Sequence, residues 1–186
     1  MLTYPAPCAD SRRSWLICLD LQRDYVVPGR PRYSIANTEV AATCARVLAM
    51  AREDGWRVVH SQYRAEAVAP WPRELFGAPI EGLRPLVSEP VYFRRGLSAF
   101  ANPGFTAELR CARGADVYLI GFSLSDTCLA TALAGVDEGL SLTLVEDAVG
   151  ATEELAAADV ARIILKPFVQ LASSRRLIAR RLEVVH

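Results

Sequence analysis

Histidine and cysteine are scarce in this chain, and neither sign of charge is in excess. There are two histidines and five cysteines (Cys8, Cys18, Cys44, Cys111 and Cys128), widely spaced and without a CxxC pair, so the side chains that build soft metal centres are few. An odd number of cysteines at irregular intervals is no disulfide framework, and the reading is a reduced, cytoplasmic protein. Lys plus Arg and Asp plus Glu each number 21, which removes the overall field that holds nucleic acid or an anionic membrane surface. No apolar run approaches the roughly 20 residues needed to cross a bilayer, so no membrane partner is expected. Residues Met1 to Arg13 carry Pro5, Pro7, Asp10 and two arginines rather than an apolar signal stretch, so no export signal is expected.

What is present is apolar material: 52% of the 186 residues are hydrophobic, enough for the core of a single domain spanning 1–186, with 1–13 as an N-terminal extension. Trp15 to Leu19 is a short continuous apolar run ending at Asp20, the pattern of a strand buried on both faces. From Ile35 to Asp54, Val40, Val47, Leu48 and Met50 recur among alanines before Gly55, which predicts a helix. Trp56 to His60 returns to strand character, so strand, helix and strand follow in order as in a right-handed βαβ unit. Further on, Asn102 and Pro103 open a helix that Gly114 closes. Val117 to Ile120 and Leu142 to Val145 read as strands on either side of a helix that starts in the turn Gly121 to Asp126 and reaches about Glu138. A helix over Glu153 to Leu165, a short strand over Phe168 to Leu171 and a basic terminal helix with Leu177 and Ile178 facing inward complete the pattern. The stretch 64–90 interrupts it with Pro70, Pro72, Pro79, Pro85 and Pro90 around Trp71, Leu75 and Phe76. Two readings stand for it: an ordered surface excursion packed by its own aromatics, or a lid or subunit contact beside a pocket.

In open parallel sheets, ligands bind beyond the carboxyl ends of the strands. The polar residues placed there are Asp20, Gln22, Asp24, His60, Gln62, Arg94, Ser123 to Thr127, and Asp147. A carboxylate directly after a buried strand, such as Asp20, can serve as an acid or base, or simply as a cap or ion-pair partner.

Taken in order, Asp20-Leu21-Gln22, Tyr25, Asn37, Gly55, Ser98-Ala99-Phe100, Gly121, Thr131-Ala132, Gly139 and Asp147-Ala148 resemble the isochorismatase-like superfamily, also called cysteine hydrolases, over Leu16 to Ile178. The resemblance implies a three-layer α/β/α fold with a central, mostly parallel six-stranded sheet, assembled as a homodimer or larger homo-oligomer. It also implies a catalytic Asp, Lys and Cys. Asp20 matches the first position, and counting back from Ser98-Ala99-Phe100 puts Arg94 at the lysine position, where the charge is kept but no proton can be given up near neutral pH. Counting forward from Gly121 or back from Thr131-Ala132 puts Thr127 at the cysteine position, with Cys128 one residue later and about 100° away around a helix.

The favoured role for Thr127 is to cap backbone N–H groups at the helix start; as a nucleophile it would need Asp20 as its base. Some relatives lack the cysteine and cleave a vinyl ether. By analogy Asp20 would protonate the substrate, Arg94 would bind its carboxylate, Gln22 would orient it, and amides at the helix start would favour negative charge. Tyr25, Phe122 and Ser123 complete the candidate binding residues. The family's non-proline cis peptide would fall between Phe122 and Ser123. Where nicotinamidase-type relatives bind a metal, this chain has His60-Ser61-Gln62-Tyr63-Arg64, so neither metal nor cofactor is expected. Two functions follow: a hydrolase acting on a C–N amide or vinyl-ether bond of a small metabolite, with Asp20 as acid or base and Arg94 as charge partner, or an inactive member kept for small-molecule binding or as a partner subunit.

Overall fold

The computed structural model describes residues 13–64, 77–151 and 164–184. Trp15–Leu19 forms β1, and all five of its residues are buried, as an apolar run without alternation requires. Helix α1, Ala36–Glu53, leads through Gly55 into β2, Arg57–Tyr63. After Val91–Arg94 (β3) come α2, Pro103–Leu109, and β4, Asp116–Gly121. Helix α3, Leu129–Asp137, β5, Ser141–Val149, β6, Gln170–Ala172, and α4, Ser174–Val184, follow. The sheet has six strands in the order β3-β2-β1-β4-β5-β6, and every neighbouring pair is parallel.

Alternation along β1 divides the core. Leu16 and Cys18 pack with Val47, Leu48, Tyr118 and Ile120 on the α1 face, while Ile17 and Leu19 pack with Phe105, Leu119 and Leu142 on the opposite face. Burying such a side chain contributes about 1.5–3 kcal/mol, so the two faces together hold the sheet between its helices. The strand order reverses between β1 and β4, where Leu19 pairs with Gly121. The end of β1 leads into Asp20 and the end of β4 into Phe122, whose N–H donates to the Leu19 carbonyl (3.0 Å). Only glycine fits at 121: its φ is +127°, and a Cβ there would lie 1.9 Å from the Leu19 carbonyl oxygen.

Several expectations need correction. Strand β3 was not anticipated; it has four residues at the sheet edge and only Arg94 is fully buried, so it shows neither a continuous apolar run nor clean alternation. The second strand runs three residues beyond His60, and the last one starts at Gln170 rather than at the exposed Phe168. The Asn102 side chain caps α2 as anticipated, accepting from Gly104 N and Phe105 N, but the α-helix ends at Leu109 and a 3₁₀ turn covers Arg110–Ala112. Residues 1–12, most of the anticipated 153–165 helix and the aromatic part of the proline-rich stretch (65–76) lie outside the described residues. Cys18, Cys44 and Cys128 are free and buried, whereas Cys111 is disulfide-bonded, against the fully reduced chain expected. No helix among the described residues is long and apolar enough to cross a membrane.

Candidate active site

Asp20 leaves β1 with φ at +45°, a left-handed conformation that aspartate tolerates better than most residues, and its N–H donates to the Ser61 carbonyl (3.0 Å). Its side chain is fully buried. Oδ1 accepts from Tyr63 N (2.6 Å) and Arg94 Nη1 (2.9 Å), and Oδ2 accepts from Arg94 Nη2 (2.6 Å) and the Thr127 hydroxyl (3.3 Å). Arg94, at the end of β3, is equally buried and grips the carboxylate with two parallel bonds. Its remaining donors go to the Leu97 carbonyl from Nε (3.1 Å), to Ser61 Oγ from Nη1 (3.3 Å) and to Thr127 Oγ1 from Nη2 (2.9 Å). A guanidinium has five N–H groups, and all five of these end on atoms of the protein.

Thr127 lies in a π-helical turn, Leu124–Cys128, that runs into α3. Its hydroxyl bonds to Asp20 and Arg94 and not to a backbone amide, so the anticipated capping role is absent. The Thr127 hydroxyl meets the Asp20 and Arg94 pair, while Cys128 is buried in the core cluster that holds Ile17, Leu19 and Ala132. Burial, reinforced by the charges of Asp20 and Asp126 and opposed by that of Arg94, pushes the Cys128 thiol well above its ordinary value. Such a sulfur packs as a small hydrophobe.

The amides around this turn are also engaged. Leu124 N donates to the Gly150 carbonyl (2.7 Å), Cys128 N to the Ser123 carbonyl (2.9 Å), and Thr127 N to the Asp126 carboxylate (2.5 Å). A carboxylate of the chain itself thus occupies the amide where an anion was expected to settle. The Phe122–Ser123 bond is cis, at the position the resemblance implied. The Ser123 and Ser125 hydroxyls are 3.1 Å apart.

Among the candidate binding residues, Gln22 is spent on structure: Nε2 donates to the Tyr63 and Gly77 carbonyls (3.2 Å each). Together with the Gly77 N–H on Asp24 Oδ2 (2.9 Å), this ties the end of the proline-rich stretch to the segment after β1. Tyr25 is buried and its ring stacks on Phe122, centroids 4.9 Å apart. A residue missed in the sequence joins them: Arg32 Nη1 donates to the Tyr25 hydroxyl (2.6 Å), and its guanidinium lies 5.6 Å from the centre of the Tyr25 ring and 5.1 Å from that of Tyr63. Nothing in the turn around Arg32 singled it out, because its neighbours arrive from β2 and from the segment after β1.

The other candidates stand apart. His60 lies 2.9 Å from Glu89, which Arg52 holds with two bonds of 2.8 Å, an assembly that fastens the loop before β3 to α1. Asp147 accepts from the N–H and the hydroxyl of Ser174 and starts α4. The chain's single lysine, Lys166, is exposed rather than paired with Asp20. Among the described residues, no group of three or more His, Cys, Asp or Glu side chains is placed to hold a metal ion.

The sheet thus brings an Asp after its first strand, a cation at the end of an edge strand and a cis turn into a helix to one place. The isochorismatase domain model matches residues 14–175, and the chain belongs to the isochorismatase family of hydrolases. It is 29% identical over 156 residues to a maleamate amidohydrolase of Pseudomonas putida KT2440, covering 75% of this chain and 73% of that one. Among solved structures, an isochorismatase family protein from Desulfovibrio vulgaris superposes with a TM-score of 0.77 at 22% identity, covering 92% of this chain and 99% of that one. An isochorismatase from Pseudomonas putida KT2440 does so with a TM-score of 0.73 at 29% identity, covering 93% of each.

Proposed function

We propose that this chain is a small-molecule-binding member of its family that has lost covalent hydrolysis. The observation that carries this reading is the closed set of bonds around Arg94. With all five N–H groups engaged by Asp20, Ser61, Leu97 and Thr127, the guanidinium has none left for a substrate carboxylate. Asp20 in turn accepts four hydrogen bonds, filling its lone-pair sites. Catalysis needs groups that bind the transition state better than the ground state, and a network already satisfied within the protein offers little to a developing charge. A threonine hydroxyl stands where relatives carry a thiol, and the nearest thiol faces the core.

A second reading is hydrolysis of an amide, favoured by the 3.3 Å contact between the Thr127 hydroxyl and Asp20 Oδ2 and by the likeness to a maleamate amidohydrolase. In it, Asp20 takes the hydroxyl proton as Oγ1 attacks the carbonyl carbon and passes it to the amide nitrogen as the C–N bond breaks, so ammonia leaves and water then hydrolyses the Thr127 ester to release the acid. Ammonia release from maleamate separates the two. The binding reading expects none from the natural chain and a measurable rate from the Arg94→Lys/Thr127→Cys double variant, which restores both family residues. Turnover by the natural chain that disappears in Thr127→Ala would establish the second reading instead.

A further inference from the structure

We propose that the groove between the sheet edge and residues 77–89, with Gln62 in its floor, is a second small-molecule site, and that its ligand is a planar ring compound with an amide edge and an anionic group. This site stands apart from the network at Asp20 and holds whether or not that network turns anything over.

Alternation along β2 and β3 separates the two. Val58 packs on the α1 face and Val59 on the opposite one, so Gln62 shares the α1 face while Ser61 meets Arg94 (3.3 Å) on the other. In β3, Phe93 pairs with Gln62 and Arg94 with Tyr63, which leaves Phe93 beside Gln62 and sends Arg94 to Asp20. The result is a groove of about 690 Å³, within the span of roughly 300–1,000 Å³ that small-molecule sites occupy. Pro79, Pro85, Leu86, Val87, Val91 and Phe93 wall it, and Leu86, Val87 and Phe93 are exposed.

Gln62, Arg84 and Glu89 are the polar side chains that line this apolar groove, and two of them are unspent. Glu89 is satisfied by Arg52, His60 and the Leu86 N–H. Gln62 is only 4–6% open by position in the sheet edge, at 6% exposed, yet its carboxamide has no hydrogen-bond partner among the described residues. A buried amide left unpaired is costly, and its NH₂ and carbonyl together match the donor and acceptor edge of a lactam or carboxamide. Arg84 is exposed and, among the described residues, has no carboxylate at ion-pair distance. The Arg64 guanidinium, equally without one, lies 5.0 Å from the centre of the Phe93 ring. An aromatic wall favours a planar body, the carboxamide selects an amide edge, and the two guanidinium groups favour an anion.

Titration calorimetry with uridine monophosphate, which carries all three features, and with its two parts tests this. The nucleotide should bind at least about tenfold more tightly than uridine, which lacks the anion, and ribose phosphate, which lacks the ring and its amide edge, should show no measurable binding. Gln62→Leu should weaken the nucleotide at least about tenfold, and Arg84→Gln should remove most of its advantage over uridine. An unchanged far-UV circular dichroism spectrum and melting temperature identify folded variants. Because Arg84 is exposed, Arg84→Gln decides the matter even where Gln62→Leu does not fold. No binding of uridine monophosphate, equally strong binding of ribose phosphate, or undiminished nucleotide affinity in either folded variant would overturn the site.

Discussion

Arg94 Nη2 donates to the Thr127 hydroxyl across 2.9 Å, and both side chains close on the same carboxylate, that of Asp20. Strands β1 and β3 and the turn before α3 thus meet at one buried polar knot. A Thr127→Val change keeps the shape and removes the hydroxyl, leaving one N–H of Arg94 and one lone pair of Asp20 without a partner. We expect a loss of about 1–3 kcal/mol, read as a lower urea midpoint with an unchanged slope. A midpoint equal to that of the natural chain would mean the hydroxyl is not part of the knot.

The ion pair inside that knot is costly to break from one side. Asp20→Asn or Arg94→Met alone should each destabilise by about 3–5 kcal/mol, because each strands a buried charge or its donors. Combining the two should cost clearly less than the sum of the single losses, and a double-mutant cycle by denaturation measures the difference. Additive losses would show that the two side chains do not interact.

Glu89 supplies a pH dependence far from the site. Burial disfavours its charged form, yet hydrogen bonds from Arg52, His60 and the Leu86 N–H outweigh burial and bring the carboxyl down from 4.5 to about 2. Because the folded value is the lower one, the unfolded chain takes up the proton first. The stabilisation is complete above about pH 4.5 and is lost as the pH falls toward 2. Glu89→Gln should lower stability at neutral pH by about 1–3 kcal/mol and flatten the decline on acidification. Urea midpoints followed from neutral pH down to about pH 3 check both effects.

Asp147 is occupied at the start of α4, where it accepts from the Ser174 N–H (2.7 Å) and hydroxyl (2.6 Å). Asp147→Ala should cost about 1 kcal/mol, as loss of a helix cap does, with small-molecule binding unaffected. Altered ligand affinity at full stability would place Asp147 in the pocket after all.

Much of this molecule was legible before its structure. Trp15–Leu19 announced itself as a doubly buried strand, and the resemblance singled out Asp20, Arg94 and Thr127, three side chains that the fold brings together. What stayed hidden depended on distant segments meeting. Val91–Arg94 becomes a strand only because β2 lends it an edge, and its own residues carry no period to show it. The Asp126 carboxylate on the Thr127 amide and the Arg32 guanidinium between Tyr25 and Tyr63 are products of turns folding back, which spacing along a chain does not record.

Cys128 faces the core, and alkylation of the native chain by iodoacetamide with peptide mapping reads this directly. Cys128 should remain unmodified while the protein is folded and react once it is denatured. Rapid stoichiometric labelling of Cys128 in the folded natural chain would place a thiol nucleophile in the site and contradict the account.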